Sequence, residues 1–280
     1  MKKANFSTLL ICFVSACLLT IVFALLPKIA PAQTSSVHLT MGNPSSAGTS
    51  SLNNYLLSKT QYATSHNCSR GTSNWVSWQL NSSWLGSAPR QDDFRADTTL
   101  PSGCYRVTTS DYTGSGFDRG HMAPSADRTN TIANNSATFL MTNIIPQAPD
   151  NNQGVWANLE NYSRSLVSSG KELYIISGGY GTGGTGSAGY ANTISSGRVT
   201  VPARTWKVIV VLNGPGNASS VTTSTRVIAV NIPNTQGVRN DDWRTYRVTV
   251  DSIEAATGYN LLSNVTDSVE NTIESRVDTL

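Results

Sequence analysis

The runs ELYIIS (172–177), TWKVIVVL (205–212) and TRVIAVNIP (225–233) constrain the fold more than any other feature of this chain. They are short and dense in β-branched and aromatic residues, which predicts buried strands. In NWVSWQLN (74–81), Trp75 and Ser77 alternate with Val76, Trp78 and Leu80, as in a strand with tryptophan on both faces. Helical signals are few. Val155, Leu159, Tyr162 and Leu166 follow helical spacing within 151–170, with Gly170 as the stop, and SIEAATGYNLL (252–262) reads as a short helix closed by glycine. This balance predicts an α+β fold, a mainly antiparallel central sheet flanked by helices. Segment 51–67 offers a short helical turn before an extended stretch, 104–124 reads as irregular, and the apolar run in 136–149 is ended by Pro146. The glycines from Gly178 to Gly189 read as a flexible loop, since no Gly-Lys-Ser/Thr follows to make a phosphate cradle.

Two lysines, a long apolar run and Ala30-Pro31-Ala32 open the chain, the layout of a secretory signal peptide cleaved after Ala32. An uncleaved anchor and a lipid-attachment box at Cys17 are the rivals, and the apolar run continuing past Cys17 argues against the second. Residues 33–280 then make one domain, exported to the periplasm or beyond and not held in a membrane. The leader carries three of the 20 basic residues and none of the 17 acidic ones, so the remainder balances at 17 against 17. A global field drawing in a polyanion is thereby excluded. The remaining bases are three lysines and fourteen arginines, and arginine forks onto phosphate or carboxylate oxygens as lysine does not. Cys68 and Cys104 are the two cysteines outside the leader, either one disulfide or two small buried thiols.

His121 is one of only three histidines and lies in GFDRGHMAPSADRT, among ions, turn-formers and hydroxyls. A neutral imidazole near pH 7 can take a proton from water, and Asp118, three residues earlier, is placed to bond the ring. Asn152, Trp156, Glu160 and Arg164 recur every fourth residue, so an α-helix would line them on one face. Glu160 and Arg164 alone would be an ordinary surface pair. An asparagine beside a glutamate, however, offers hard oxygen donors suited to Mg²⁺, which keeps most of its waters. SAPRQDDFRAD (87–97) sets Arg90 and Arg95 around two carboxylates.

Together these segments resemble the DNA/RNA non-specific endonucleases of the Serratia type, with their ββα-metal (His-Me finger) site, nearest to exported cyanobacterial members. DRGHMAPSADR carries the likeness, and GNPS, SAPRQDDF, NNQGVWANLE, VPARTWKV, NIPN and EAATGYNLL follow in the expected order across 42–262. The resemblance implies hydrolysis of DNA and RNA, single or double stranded, with one Mg²⁺ for which Mn²⁺ substitutes. It implies His121 as general base, Asn152 as the sole protein ligand of the metal, and Glu160 holding a metal-bound water. Arg90 and Arg164 would meet phosphate, with Arg119 a helper and Asp118 and Asp127 in support. Asn151 leaves a one-position ambiguity beside Asn152. A cognate protein inhibitor is a further expectation. The rivals are an RNA-only phosphodiesterase, a silent nucleic-acid binder, and an exported binding module using NWVSWQLNSSW (74–84) as its platform.

Overall fold

Side chains alternate along a strand with a period of two, so an apolar run can bury both faces only if both are covered. The computed structural model describes residues 36–280 and meets that demand. The expected leader, 1–32, lies outside the described residues. The early strands are β1 (Tyr55–Ser58), β2 (Ala63–Asn67), β3 (Thr72–Leu80), β4 (Asp118–His121), β5 (Ile144–Gln147) and β6 (Glu172–Tyr180). Four short ones follow, β7 (Gly184–Gly186), β8 (Gly189–Ala191), β9 (Thr193–Ile194) and β10 (Val199–Thr200), then β11 (Arg204–Leu212) and β12 (Arg226–Pro233). The helices are α1 (Ile132–Ala137), α2 (Ala157–Ser168), α3 (Val250–Thr257) and α4 (Asp267–Glu274).

The central sheet runs β1-β2-β3-β6-β11-β12, every neighbour antiparallel. Trp75, Tyr174, Ile176, Trp206, Val208 and Val210 bury one face against α3 and α4 through Val250, Ile253 and Ile273. Trp78, Leu173, Ile175, Ile209 and Ile228 bury the other against Trp156 and Leu159 at the start of α2, and against Met122 and Ile145. Each fully buried side chain of this kind contributes roughly 1.5–3 kcal/mol. Strand NWVSWQLN divides its tryptophans between the two faces as its alternation predicts.

Four local expectations are corrected. No helical turn precedes Tyr55; a turn leads directly into β1, which pairs with β2. The irregular segment around His121 is a strand, β4, paired with β5. That pairing runs through Pro146, opposite Arg119. A proline is tolerated because both strands of a two-stranded ribbon are edges and its missing N–H is not needed. Of the glycines, Gly178 and Gly179 belong to β6, and a side chain on Gly178 would collide with Asn74 and crowd Trp206, so close packing demands glycine there. The strands β4 and β5 with α2 make the expected ββα unit on one face of the sheet.

Cys68 and Cys104 form a disulfide, Cα–Cα 4.9 Å, closing a separation of 36 residues. A loop of that length restricts the unfolded chain by roughly 2–4 kcal/mol. A Cys68→Ser/Cys104→Ser double variant is therefore expected to melt ~10 °C lower in calorimetry. An unchanged Tm would show that the link adds nothing to stability.

Candidate active site

β4 and the chain leading into α2 meet at a polar cleft of about 620 Å³ lined by Arg90, Asp92, Phe94, Asp118, Arg119 and Asn152 among others. Strand parity sends Arg119 and His121 to one side of β4. There the Arg119 guanidinium lies over the Phe94 ring at 4.2 Å, and the His121 ring packs against Phe94 (5.4 Å) and edge-on to Phe139 (4.9 Å). The Arg90 guanidinium lies over the Phe139 ring at 4.9 Å and donates to Asp92 Oδ1 (2.7 Å) and Ser125 Oγ (2.8 Å). His121 does not face open water: it is 8% exposed and its Nε2 has no hydrogen-bond partner. Burial first, then the charges of Arg90 and Arg119, push its pKa down to about 3, so the free protein holds it neutral.

Asp118 does not bond that ring. At three residues' distance along a strand it points to the opposite side, where its Oδ2 accepts from Asn152 Nδ2 (2.8 Å) and Gln153 Nε2 (2.7 Å). This leaves the Asn152 amide oxygen as the atom for another partner, and a carboxylate on the amide nitrogen makes that oxygen a better donor. Asn151 is spent elsewhere. It accepts from Gln147 Nε2 (2.7 Å) and donates to Thr205 Oγ1 (3.0 Å) and Pro233 O (2.9 Å), all buried beside the sheet. Gly120 makes this possible, because any side chain there would overlap Gln147. One hard oxygen from Asn152 beside a carboxylate suits a divalent cation that keeps most of its waters.

The equal four-residue spacing from Asn152 to Arg164 does not translate into one α-helical face. Asn151–Trp156 form a wider, π-type turn, with Gly154 in a non-helical conformation (φ −109°, ψ −105°) and Arg239 backbone in the space a Cβ would need there. Regular helix begins at Ala157. Such one-residue expansions re-aim side chains at functional sites. Asn152 thus belongs to the cleft, while Trp156, Glu160 and Arg164 belong to the layer between α2 and the sheet.

In that layer the sequence reading missed a residue. Lys207 projects from β11 on the same side as Ile209 and Val211 and is buried. Its Nζ lies 4.0 Å from the Trp156 ring and 3.7 Å from Glu160 Oε1. Burial pushes the Glu160 carboxyl up, with Lys207 opposing. Asp127, also buried, accepts from Trp78 Nε1 (2.9 Å) and Arg164 Nη1 (2.8 Å), and Arg164 also donates to Asn161. The structure therefore brings Arg90, Arg119 and Asn152 together at the cleft, with the His121 ring against Phe94 of its lining, and groups Glu160 and Arg164 with Lys207 and Asp127. Among the described residues no hydrogen bond joins the two groups directly, although Ser125 and Asp127, two residues apart, tie Arg90 to Arg164. The signal for Lys207 was visible: it is the one charge inside TWKVIVVL.

The family model described as DNA/RNA non-specific endonuclease matches residues 42–268. A nuclease of Nostoc sp. is 58% identical over 246 residues, 87% of this chain and 86% of the relative. Human mitochondrial endonuclease G is 33% identical over 197 residues, 68% of this chain and 64% of that protein. Among solved structures, a chain of the EndoG/EndoGI complex superposes with a TM-score of 0.68 at 23% identity, covering 84% of this chain and 94% of its own, a likeness of fold.

Because both guanidiniums depress His121, Arg119→Gln is expected to raise the His121 pKa in an NMR titration of the free protein; no movement would remove the coupling. Lys207→Met strands Glu160 without its cation and is expected to cost on the order of 3 kcal/mol, with Glu160→Gln in the same chain restoring part of it. Additive losses in a denaturant titration would show that the pair is not coupled.

Proposed function

We propose that this chain, which belongs to the DNA/RNA non-specific endonuclease family and is an endonuclease, hydrolyses phosphodiester bonds of DNA and RNA alike with His121 as general base. Asn152 would hold one Mg²⁺ or Mn²⁺ through its amide oxygen. The observation that carries the reading is the His121 ring at the end of β4, packed against Phe94 of a polar cleft that two guanidiniums line and held neutral by burial and by those charges. The other two histidines are core residues: His38 bonds Thr60 O through Nε2 (2.7 Å), and His66 is buried in β2.

A phosphate entering the cleft meets the forks of Arg90 and Arg119, which give charge-assisted hydrogen bonds. Burial, and after it the same two charges, hold His121 weakly basic in the free protein. An anion on the guanidiniums offsets part of their field, so the imidazole gains basicity as substrate arrives, and its nitrogen that is not buried, Nδ1, accepts a proton from the attacking water. Bound divalent metal supplies Lewis-acid stabilisation of the charge gathering on the phosphoryl and leaving oxygens. Glu160 accepts hydrogen bonds from water at the site and draws its anionic character from Lys207. Arg164, tied to Asp127, reaches phosphate only with the part of its side chain left exposed. All of these contacts address the backbone of a nucleic acid, so substrate choice follows phosphate geometry rather than base identity.

Export belongs to the same proposal: the leader 1–32 would be removed and residues 33–280 act as one domain outside the cytoplasm. The Cys68–Cys104 disulfide supports an oxidising compartment. Among the described residues no helix is long and apolar enough to cross a membrane. A cognate protein inhibitor is also proposed. Its support is the arginine-bearing cleft, a target for acidic side chains, and a structural neighbour that is itself an endonuclease caught with its inhibitor.

Residues 33–280 incubated with plasmid DNA and with RNA are expected to degrade both with Mg²⁺ and neither with EDTA. His121→Ala should reduce the rate about 10²–10⁴-fold. Cleavage of RNA alone would replace this reading with the narrower phosphodiesterase, and no cleavage under any divalent ion would sink it. With a locally charged cleft, kcat/KM should fall steeply between 50 and 200 mM salt as ~2–3 phosphate contacts release counterions. A flat salt profile would argue against a phosphate-led interface.

A further inference from the structure

On the opposite face of the sheet, α3 and α4 bring Asp251, Glu254, Glu270 and Glu274 together with no base among them. The oxygens of Asp251, Glu254 and Glu274 all lie within 4.8 Å of one another. Oxygens on opposite sides of a calcium ion, each at about 2.3–2.6 Å, are roughly that far apart. Glu274 is the unusual member. It is only 5% exposed, and its Oε1 has no hydrogen-bond partner; Glu270 Oε1 lacks one too. Glu254 Oε1 accepts from Leu261 N (2.6 Å), which fixes its carboxylate at the cluster.

Three costs bear on an ionised Glu274, offset only by a hydrogen bond shared with the Glu254 carboxyl. A buried carboxylate without a cation is expensive. Its position as the last residue of α4 puts it at the negative end of the helix dipole. Every charged group acting on it is acidic (Glu254, Glu270 and Asp251), and together with burial they raise its carboxyl to about 8. Among the described residues no ion pair involves any of the four acids. A surface acid would turn to solvent; Glu274 is instead aimed inward, at Asp251 and Glu254.

We propose that Asp251, Glu254 and Glu274, with Glu270 beside them, form a second cation site that takes a calcium ion and clamps α3 to α4. Several carboxylates in a flexible arrangement suit calcium, which accepts six to eight oxygens, better than magnesium, which keeps its waters. The site is separate from the cleft: the clamp packs on the sheet face built from Trp75, Trp206 and Val208, and Asn152 lies by the ββα unit on the other. Its effect is on stability, not on chemistry.

The test uses Asn152→Ala protein, so that the cleft adds no cation of its own, titrated with calcium chloride by calorimetry and melted with calcium or with EDTA. One calcium per chain is expected, with Tm raised by on the order of 5 °C at saturating ion. Glu274→Gln should abolish the binding heat and the shift. Should that variant fail to fold, the exposed Asp251→Asn decides instead, with calcium binding weakened at least tenfold. Absence of calcium binding, or binding unchanged by Asp251→Asn, would overturn the assignment. So would a Tm shift that survives in Glu274→Gln.

Discussion

A buried ammonium cannot be left alone, and Lys207 sits in the middle of the sheet beside apolar Val208, Ile209 and Val211 of its own strand. Its demand for an anion and for polarisable cover organises the whole nuclease side of the molecule. Glu160 supplies the anion and Trp156 the cover, so α2 can dock only at the rotation that brings both over β11. That rotation aims Arg164 at Asp127, and Asp127 is itself held by the Trp78 indole from β3. One cation therefore links two sheet strands, the helix and the segment after His121. An apolar residue at 207 would pack equally well and leave α2 free to settle by hydrophobic contact alone. The buried charge exchanges stability for a single docking geometry.

Much of the fold was legible because period-two alternation is a local property. Trp75 and Trp78 go to opposite faces by parity alone, and so do Trp206 and Lys207. Gly170 and Gly258, both with positive φ, end their helices as their position suggests. What could not be read was anything set by a distant partner. β4 looks irregular in sequence because its regularity comes from β5, some twenty-five residues later, across a proline that only a ribbon edge accommodates. The wide turn at Asn151–Trp156 holds a glycine at 154 because Arg239, more than eighty residues later, leaves no room there for a side chain. Lys207 went unnamed among the candidates, and helical arithmetic set Asn152 on one α-helical face with Glu160, a face that the π-type turn interrupts. Asn151 and Asn152 are indistinguishable as letters. They separate once Gln147, Thr205 and Pro233 claim the first and Asp118 the second.

The two sides of the sheet also divide the charge. Residues 33–280 have as many acids as bases, so no long-range field of theirs draws them toward a polyanion. Arg90 and Arg119 stand at the cleft, while Asp251, Glu254, Glu270 and Glu274 stand behind six strands on the other face. A nucleic acid sampling this surface is repelled from the helical face and retained only where the guanidiniums are. Screening over about 8–10 Å at ordinary salt keeps the two regions independent. A near-neutral protein can in this way bind a polyanion in one orientation, and under the proposed mechanism that orientation would set phosphate beside His121.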